Sequence, residues 1–403
     1  MCATMKLLTL LGTFALVSAF GSPLNTEPRR DYGYINELFQ KPIDAEWEAA
    51  LTYPNVALDK PRLIPRPNVT SFDMWYFDGV NRANINESVT VTFYLATNAS
   101  IPFRSDSTTS ISLDLALTFA DGTQNFFQIN SAIGGYGWAM IHTMGPGSNS
   151  TFTLGAKWAS NWDGTEYVVN VEGAEREHRF EGELKLSSAA PARYPCHLAS
   201  DLTGRNISLE VMPKLGWTNI LPDARASAKF TLTNLDLDTQ ESSEQTIAFE
   251  NGIGFHDQLW SDRPFPLIAQ YWSRGHVRLS PFGNDTGAMW SLVWFHGIDR
   301  RGKVHNSAYI SASGTSILLD CEKDVVKEKV ELLEFQEMDK CVRIKVKLQE
   351  EDYLEIDIPK ENFVQELTAN HYERWSGMAQ GTLGEEVELK GAAMFEIMNM
   401  SKL

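Results

Sequence analysis

Apolar residues recur at every second position in residues 111–117, 180–186 and 342–348, and residues 89–95, 353–358 and 393–398 repeat the pattern in part. A period of two places one row of side chains on each face of a strand, so each segment reads as a β-strand with one face buried. Turn signals at Asp121-Gly122, Asp163-Gly164 and Gly287 fall between such runs. A short helix is expected around 44–51. Many half-buried strands joined by short turns close as barrels or stack as sandwiches, so the expected fold class is all-β, with antiparallel strands.

The 403 residues are enough for two or three domains. The polar stretch 236–245 is the best linker candidate, and it divides the chain into an N-terminal β domain, 65–235, and a C-terminal β-barrel domain, 246–403. Pro54, Pro61, Pro65 and Pro67 mark residues 20–64 as an extended approach to the first domain. Residues 1–19 have the composition of a secretory signal: Lys6, an apolar run over 7–17, then Val17-Ser18-Ala19. That run is too short to span a bilayer, and no other stretch is expected to span one. Seven N-x-S/T sequons agree with a secretory route, and Asn68, Asn86, Asn98, Asn149, Asn206 and Asn284 are the expected glycan sites, with Asn399 the seventh sequon. The terminal Ser401-Lys402-Leu403 is a conflicting peroxisomal address, and the N-terminal signal acts first in time.

Cys2 lies in the signal. Cys321 and Cys341 flank a segment that reads as a hairpin and are expected to pair in an oxidising compartment, which leaves Cys196 unpaired. A net charge of −17 without a basic stripe argues against nucleic acid as a partner.

No GxSxG, HExxH, CxxC or Walker loop occurs in the chain. Its eight histidines show no metal-ligand spacing on any one element. No cofactor and no metal are expected. The candidate site is instead residues 71–79, SFDMWYFDG. In a strand, Asp73, Trp75 and Phe77 share one face, and Met74, Tyr76 and Asp78 share the other. Large aromatic planes beside one acid suit a cavity for an unsaturated, mostly apolar molecule. The bland alternative is a packed core strand ending in a turn at Asp78-Gly79. Aromatic residues are also dense at 254–260, 271–276 and 289–296, where Trp290, Leu292 and Trp294 share a face.

The run Asp73-Met74-Trp75-Tyr76-Phe77-Asp78-Gly79 resembles a motif of the fungal Diels–Alderase family, whose two-domain, lipocalin-like architecture is related to carotenoid hydratases. Residues 254–260 and 389–396 add weaker similarities in the same order. The resemblance implies a cofactor-independent [4+2] cycloaddition, Diels–Alder or hetero-Diels–Alder, in fungal secondary metabolism. The implied substrate is a small apolar polyene or quinone methide, in a pocket between or within the domains. Folding a substrate into its reactive conformer, helped by one hydrogen bond, is sufficient catalysis for such a step. The resemblance also implies roles: Asp73 and Trp75 as catalytic, with Phe77, Tyr94, Trp260, Trp294 and Trp375 lining the substrate. On that reading Tyr76, Asp78 and Gly79 hold the strand end and its turn.

Two rival functions fit the same composition. A glycosidase or lectin would use Trp faces for sugars, and a glycosidase needs paired carboxylates about 5 or about 6.5–9.5 Å apart, for which Asp73 and Asp257 are the candidates. A lipocalin-like carrier would hold an apolar metabolite without turning it over.

Overall fold

The computed structural model describes residues 35–39, 58–63, 69–102, 111–130, 139–144, 146–194, 197–198, 209–236, 239, 241–282, 289–319, 331–348, 352–367, 372–384 and 387–400. The signal segment 1–19, residues 44–51, Gly287, Cys2, Cys196, Cys321, Asn68, Asn206, Asn284 and the terminal tripeptide lie outside them.

The expected all-β class is what is found: among the described residues, every strand pairing is antiparallel and two sheets account for all the strands. The first sheet holds β1 (Ile35–Phe39), β2 (Phe72–Asn81), β3 (Ser88–Ala96), β4 (Ile111–Thr118), β5 (Gln124–Asn130), β6 (Ala139–Met144), β7 (Gly147–Phe152), β8 (Ala156–Ser160), β9 (Glu166–Glu175), β10 (His178–Ser188), β11 (Arg193–Tyr194), β12 (His197–Leu198), β13 (Glu210–Met212), β14 (Leu215–Leu235) and β15 (Ser242–Ser261). A short helix, α1 (Phe265–Ile268), leads to the second sheet. That sheet holds β16 (Ala269–Pro281), β17 (Trp290–Asp299), β18 (Val304–Ala312), β19 (Thr315–Leu319), β20 (Glu331–Glu337), β21 (Cys341–Lys347), β22 (Tyr353–Pro359), β23 (Asn362–Leu367), β24 (Tyr372–Leu383) and β25 (Val387–Asn399).

The first sheet runs in the order β1-β6-β7-β8-β9-β10-β14-β15-β2-β3-β4-β5. It is strongly curved, because residues from both of its ends share one core: Phe93 of β3 meets Trp158 of β8 edge-on at 4.8 Å, and Phe127 of β5 meets Phe180 of β10 at 4.9 Å. The second sheet, β19-β18-β17-β16-β25-β24-β22-β21-β20, curls nearly into a barrel, so that Asn306 of β18 donates to the carbonyl of Leu332 on β20 at 3.2 Å. Its interior is the alternate set of apolar residues read from the sequence, including Val342, Ile344, Val346, Leu354, Ile356 and Ile358. The third core cluster lies between the sheets and joins β2, β3, β14 and β15 to β16, β17, β24 and β25.

Two expectations change here. The stretch 236–245 is not a linker. It forms the tip of the hairpin between the 21-residue β14 and the 20-residue β15, with Leu235 paired to Ser242. The chain changes sheet at 262–268 instead, where the amide of Phe265 donates to the carbonyl of Ser100 at 2.8 Å. A polar, turn-rich composition is common to exposed hairpin tips and linkers, so composition alone does not separate them.

Nor is Asp78-Gly79 a turn. β2 continues to Asn81, and Gly79 pairs with Gly254 of β15. The two glycines let β10 pack close: a Cβ at Gly79 would lie 2.8 Å from Leu184 Cδ1, and one at Gly254 would lie 2.5 Å from Leu186 Cδ2. The leucine ends could shift, but a Cβ at Gly254 would also lie 2.9 Å from the backbone carbonyl oxygen of Asp78, which favours glycine there. By contrast, Gly122 and Gly164 sit in the predicted turns at φ values of 85° and 69°.

Cys341 carries a free thiol at the start of β21. Asn86, Asn98 and Asn149 are half-buried, and the Asn149 side chain accepts the amide of Ser160 at 2.8 Å. No helix among the described residues is long and apolar enough to cross a membrane.

Candidate functional site

β2 has two buried faces, as its alternation requires, and they serve different purposes. Asp73, Trp75 and Phe77 point into the concavity of the first sheet, where residues 58–63 cross as a strap. The amide of Arg62 donates to Asp73 Oδ2 at 2.7 Å, and Gln258 Nε2 donates to Asp73 Oδ1 at 2.7 Å and to the carbonyl of Lys60 at 2.9 Å. Trp75 Nε1 donates to the carbonyl of Asp59 at 2.7 Å. The Asp59 carboxylate accepts Ser148 Oγ at 2.6 Å and Tyr167 OH at 2.7 Å. Arg62 lies over the Trp260 ring, 4.9 Å from its centroid.

Asp73, Trp75 and Trp260 therefore anchor the strap rather than line the gap between the sheets. Phe77 stacks on His256 at 3.8 Å, inside the same concavity. Asp73→Asn turns one acceptor into a donor facing a donor. It is expected to cost about 1–3 kcal/mol of stability and to expose the strap to limited proteolysis. An unchanged melting temperature and digestion pattern would remove this assignment.

The other face of β2 meets the second sheet. Phe72, Met74 and Tyr76 enter the shared core, and Asp78 follows them. Asp78 is fully buried. Its Oδ2 accepts Tyr76 OH at 2.8 Å and lies 2.9 Å from His276 Nε2 on β16. A carboxylate accepts, so that imidazole nitrogen carries the proton. Phe255 stacks on the His276 ring at 5.0 Å and fixes its plane. Burial, opposed by the Arg374 charge, pushes the Tyr76 phenol well above its ordinary range, so the hydroxyl stays a donor.

Around this trio lies a charged network. Glu396 of β25 accepts Arg274 Nε at 2.5 Å, Arg374 NH2 at 2.9 Å and Tyr372 OH at 2.6 Å. Arg274 also pairs with Asp257 of β15, to which Trp217 Nε1 donates at 2.7 Å. Arg374 NH1 donates to Gln365 Oε1 at 2.7 Å and to Thr90 Oγ1 at 3.1 Å. Both guanidiniums lie over the Tyr76 ring, at 5.1 and 4.6 Å from its centroid.

Burial alone would raise the Glu396 carboxyl. The charges of Arg274 and Arg374 and the bonds from Arg274 and Tyr372 override it and hold it at about 2. For Asp257, burial dominates and pushes the carboxyl up, with Arg274 opposing. A cavity of about 10 Å³ remains between Tyr76, Asp78, Phe255, Arg274, His276, Arg374, Met394 and Glu396. Among the described residues, Asp78 Oδ1, Asp257 Oδ1, Arg274 NH2, Arg374 Nε and Trp272 Nε1 are buried with no hydrogen-bond partner. Asp78, Arg274 and Arg374 line this cavity, and buried polar atoms without a partner are costly unless something polar binds there.

Of the sequence-predicted residues, only Tyr94 joins the core between the sheets. Trp294 fills the interior of the second barrel, and Trp375 packs against that barrel's core cluster and meets Phe363 edge-on at 4.8 Å. Asp73 and Asp257 do not form a glycosidase pair. Asp73 is opposite Trp260 and Asp257 is opposite Tyr76 in the β2–β15 register, so they point to opposite faces. Asp78 and Tyr76, expected to hold a turn, lie within β2 and meet His276 of the second sheet. Arg274, His276, Arg374 and Glu396 were missed. Their signal was present: Arg274, His276 and Arg278 occupy alternate positions of one strand, and Glu396 is the lone acid between Phe395 and Ile397.

The family model for Diels–Alderase-like proteins matches residues 40–329. The chain belongs to the Diels–Alderase-like family. Two curated relatives of this Diels–Alderase-like chain are quinolone epoxide rearrangement proteins. One is asqO of Emericella nidulans, 31% identical over 271 residues that cover 67% of this chain and 66% of asqO, just under two thirds of its length. The other is penF of Penicillium thymicola, 30% identical over 274 residues that cover 67% of each chain. The fold of this Diels–Alderase-like chain is also that of CghA, with a TM-score of 0.64 at 14% identity, over 90% of this chain and 98% of CghA.

Proposed function

We propose that this chain is a cofactor-independent isomerising enzyme that rearranges or cyclises a largely apolar, oxygen-bearing small molecule between its two sheets. The observation that carries this reading is Asp78: buried, fixed through Oδ2 by Tyr76 and His276, with Oδ1 left without a partner, and lining the cavity together with Arg274 and Arg374, each of which has an unpartnered guanidinium nitrogen. A donor on a substrate oxygen and a carboxylate ready to exchange a proton are what an epoxide rearrangement needs. The oxygen is hydrogen-bonded or protonated, a C–O bond opens, a neighbouring group migrates, and the proton leaves as the carbonyl forms. The aromatic wall of Tyr76, Phe255, Trp217 and Trp272 is suited to stabilise the cationic stage and to exclude water. The names of the two curated relatives favour this reading.

The second reading is the [4+2] cycloaddition, with a polyene or quinone methide as substrate. It is favoured by the family description and by the same aromatic wall, which would fold a substrate while a guanidinium hydrogen bond polarises its carbonyl. Purified protein added to an extract of a strain lacking it tests both. The expected product has the mass of its substrate or, for an intermolecular cycloaddition, the summed mass of its two partners. A solvent deuterium effect on the rate marks proton-coupled epoxide opening, and its absence with loss of a diene marks cycloaddition. A product that has gained water, lost a sugar or changed oxidation state would overturn both.

A further inference from the structure

Four strands carry the face between the sheets outward in step. On the second sheet, His276, Met394 and Ser376 form one cross-strand row, and Arg278, Ala392 and Met378 form the next. Ser280 pairs with Lys390 beyond them. On the first sheet, β2 matches this with Tyr76, Asp78 and Val80 on one face, and Arg82 follows. Rows on one face are two residues apart, so the outer rows lie about 7 and about 13 Å from the His276 level.

At that distance the same face opens into a depression of about 190 Å³, lined by Arg82, Ser280, Phe282, Met378, Lys390 and Ala392. Phe282 is 68% exposed there, although most large apolar side chains of the chain are buried. Arg82 and Lys390 place two cations in a protein of net charge −17. Ala392 lines the depression, Met394 lines the inner cavity with Asp78, and the two pack with Val80 in one buried cluster. Met394 is the deformable member of that cluster, and its sulfur lies 3.2 Å from the Tyr76 hydroxyl oxygen.

We propose that this depression is an outer binding site for an elongated small molecule with an aromatic or polyunsaturated body and an acidic end. The acid is held by Arg82 and Lys390, the body lies on Phe282 and Met378, and the inner end reaches Asp78 when Met394 swings aside. What happens at the inner end rests on the proposed function; the anchoring does not.

8-Anilinonaphthalene-1-sulfonate combines an aromatic body with an acid and serves as the probe on the full chain. Wild-type protein is expected to bind it saturably with enhanced fluorescence. The double variant Arg82→Glu, Lys390→Glu is expected to bind about tenfold more weakly or worse, about 1.4 kcal/mol, and Phe282→Ala several-fold more weakly. These side chains lie at the rim of the depression, so both variants should keep the wild-type near-ultraviolet dichroism. Arg179→Glu, Lys185→Glu, an equal charge change on exposed residues of β10, controls for net charge and should bind as wild type. Absence of saturable wild-type binding, or wild-type affinity in the Arg82/Lys390 variant, or equal losses in the control, overturns the proposal. Product analysis reads the proposed function separately, so either idea can fail without the other.

Discussion

Asp78→Asn is expected to lower kcat by on the order of 10²–10⁴, the usual contribution of a positioned acid or base. The substitution keeps the size of the side chain and the bond from Tyr76, but it removes the charge that fixes the His276 ring and the oxygen that exchanges a proton. Binding contacts elsewhere in the site are untouched, so KM should move little. Asp73→Asn is the matched comparison: it lies on the same strand and is equally buried, but it faces the strap. Its kcat should stay within a few-fold of wild type. If Asp73→Asn abolishes turnover while Asp78→Asn does not, the site lies in the concavity of the first sheet and the assignment is reversed.

Glu396→Leu is expected to destabilise the protein by about 3–5 kcal/mol, read as a fall in the urea midpoint without a change in slope. The reason is the charge it leaves behind. Glu396 is the anion shared by two buried guanidiniums, Arg274 and Arg374. Without it Arg374 keeps only the neutral acceptors Gln365, Thr90 and Tyr372. Removing all four charges together, as Asp257→Asn, Arg274→Met, Arg374→Met, Glu396→Leu, should recover much of the loss, because no desolvated ion of the network then remains unpaired. A single variant as stable as wild type would show that the network contributes nothing to folding.

The same carboxyl gives a pH dependence with a definite sign. Its folded pKa of about 2 lies below the ordinary 4.5, so the ionised form is favoured by folding. The contribution, on the order of 3 kcal/mol, is fully present above about pH 4.5 and is lost as pH falls toward 2. Glu396→Leu should therefore flatten the stability curve over that acid range.

The strands were legible because alternation is a local property, and half-buried strands cannot be built without it. Residues 342–348 and 353–358 read as one-face strands and form adjacent strands of the second barrel. Alternation also fixed that Asp73, Trp75 and Phe77 share a face opposite Tyr76 and Asp78. It could not say which face meets what. β2 is buried on both sides, so both faces carry aromatics and acids, and nothing in residues 71–79 marks one as facing the strap and the other the second sheet. That choice depends on tertiary contacts: Trp75 with Asp59, 16 residues away, on one side, and Asp78 with His276, 198 residues away, on the other. The sequence alone determined an all-β chain with a buried, acid-bearing aromatic strand. Only the tertiary structure decided that Asp78 is the acid paired with His276 between the sheets, because its burial and that pairing arise when strands about 200 residues apart close over it.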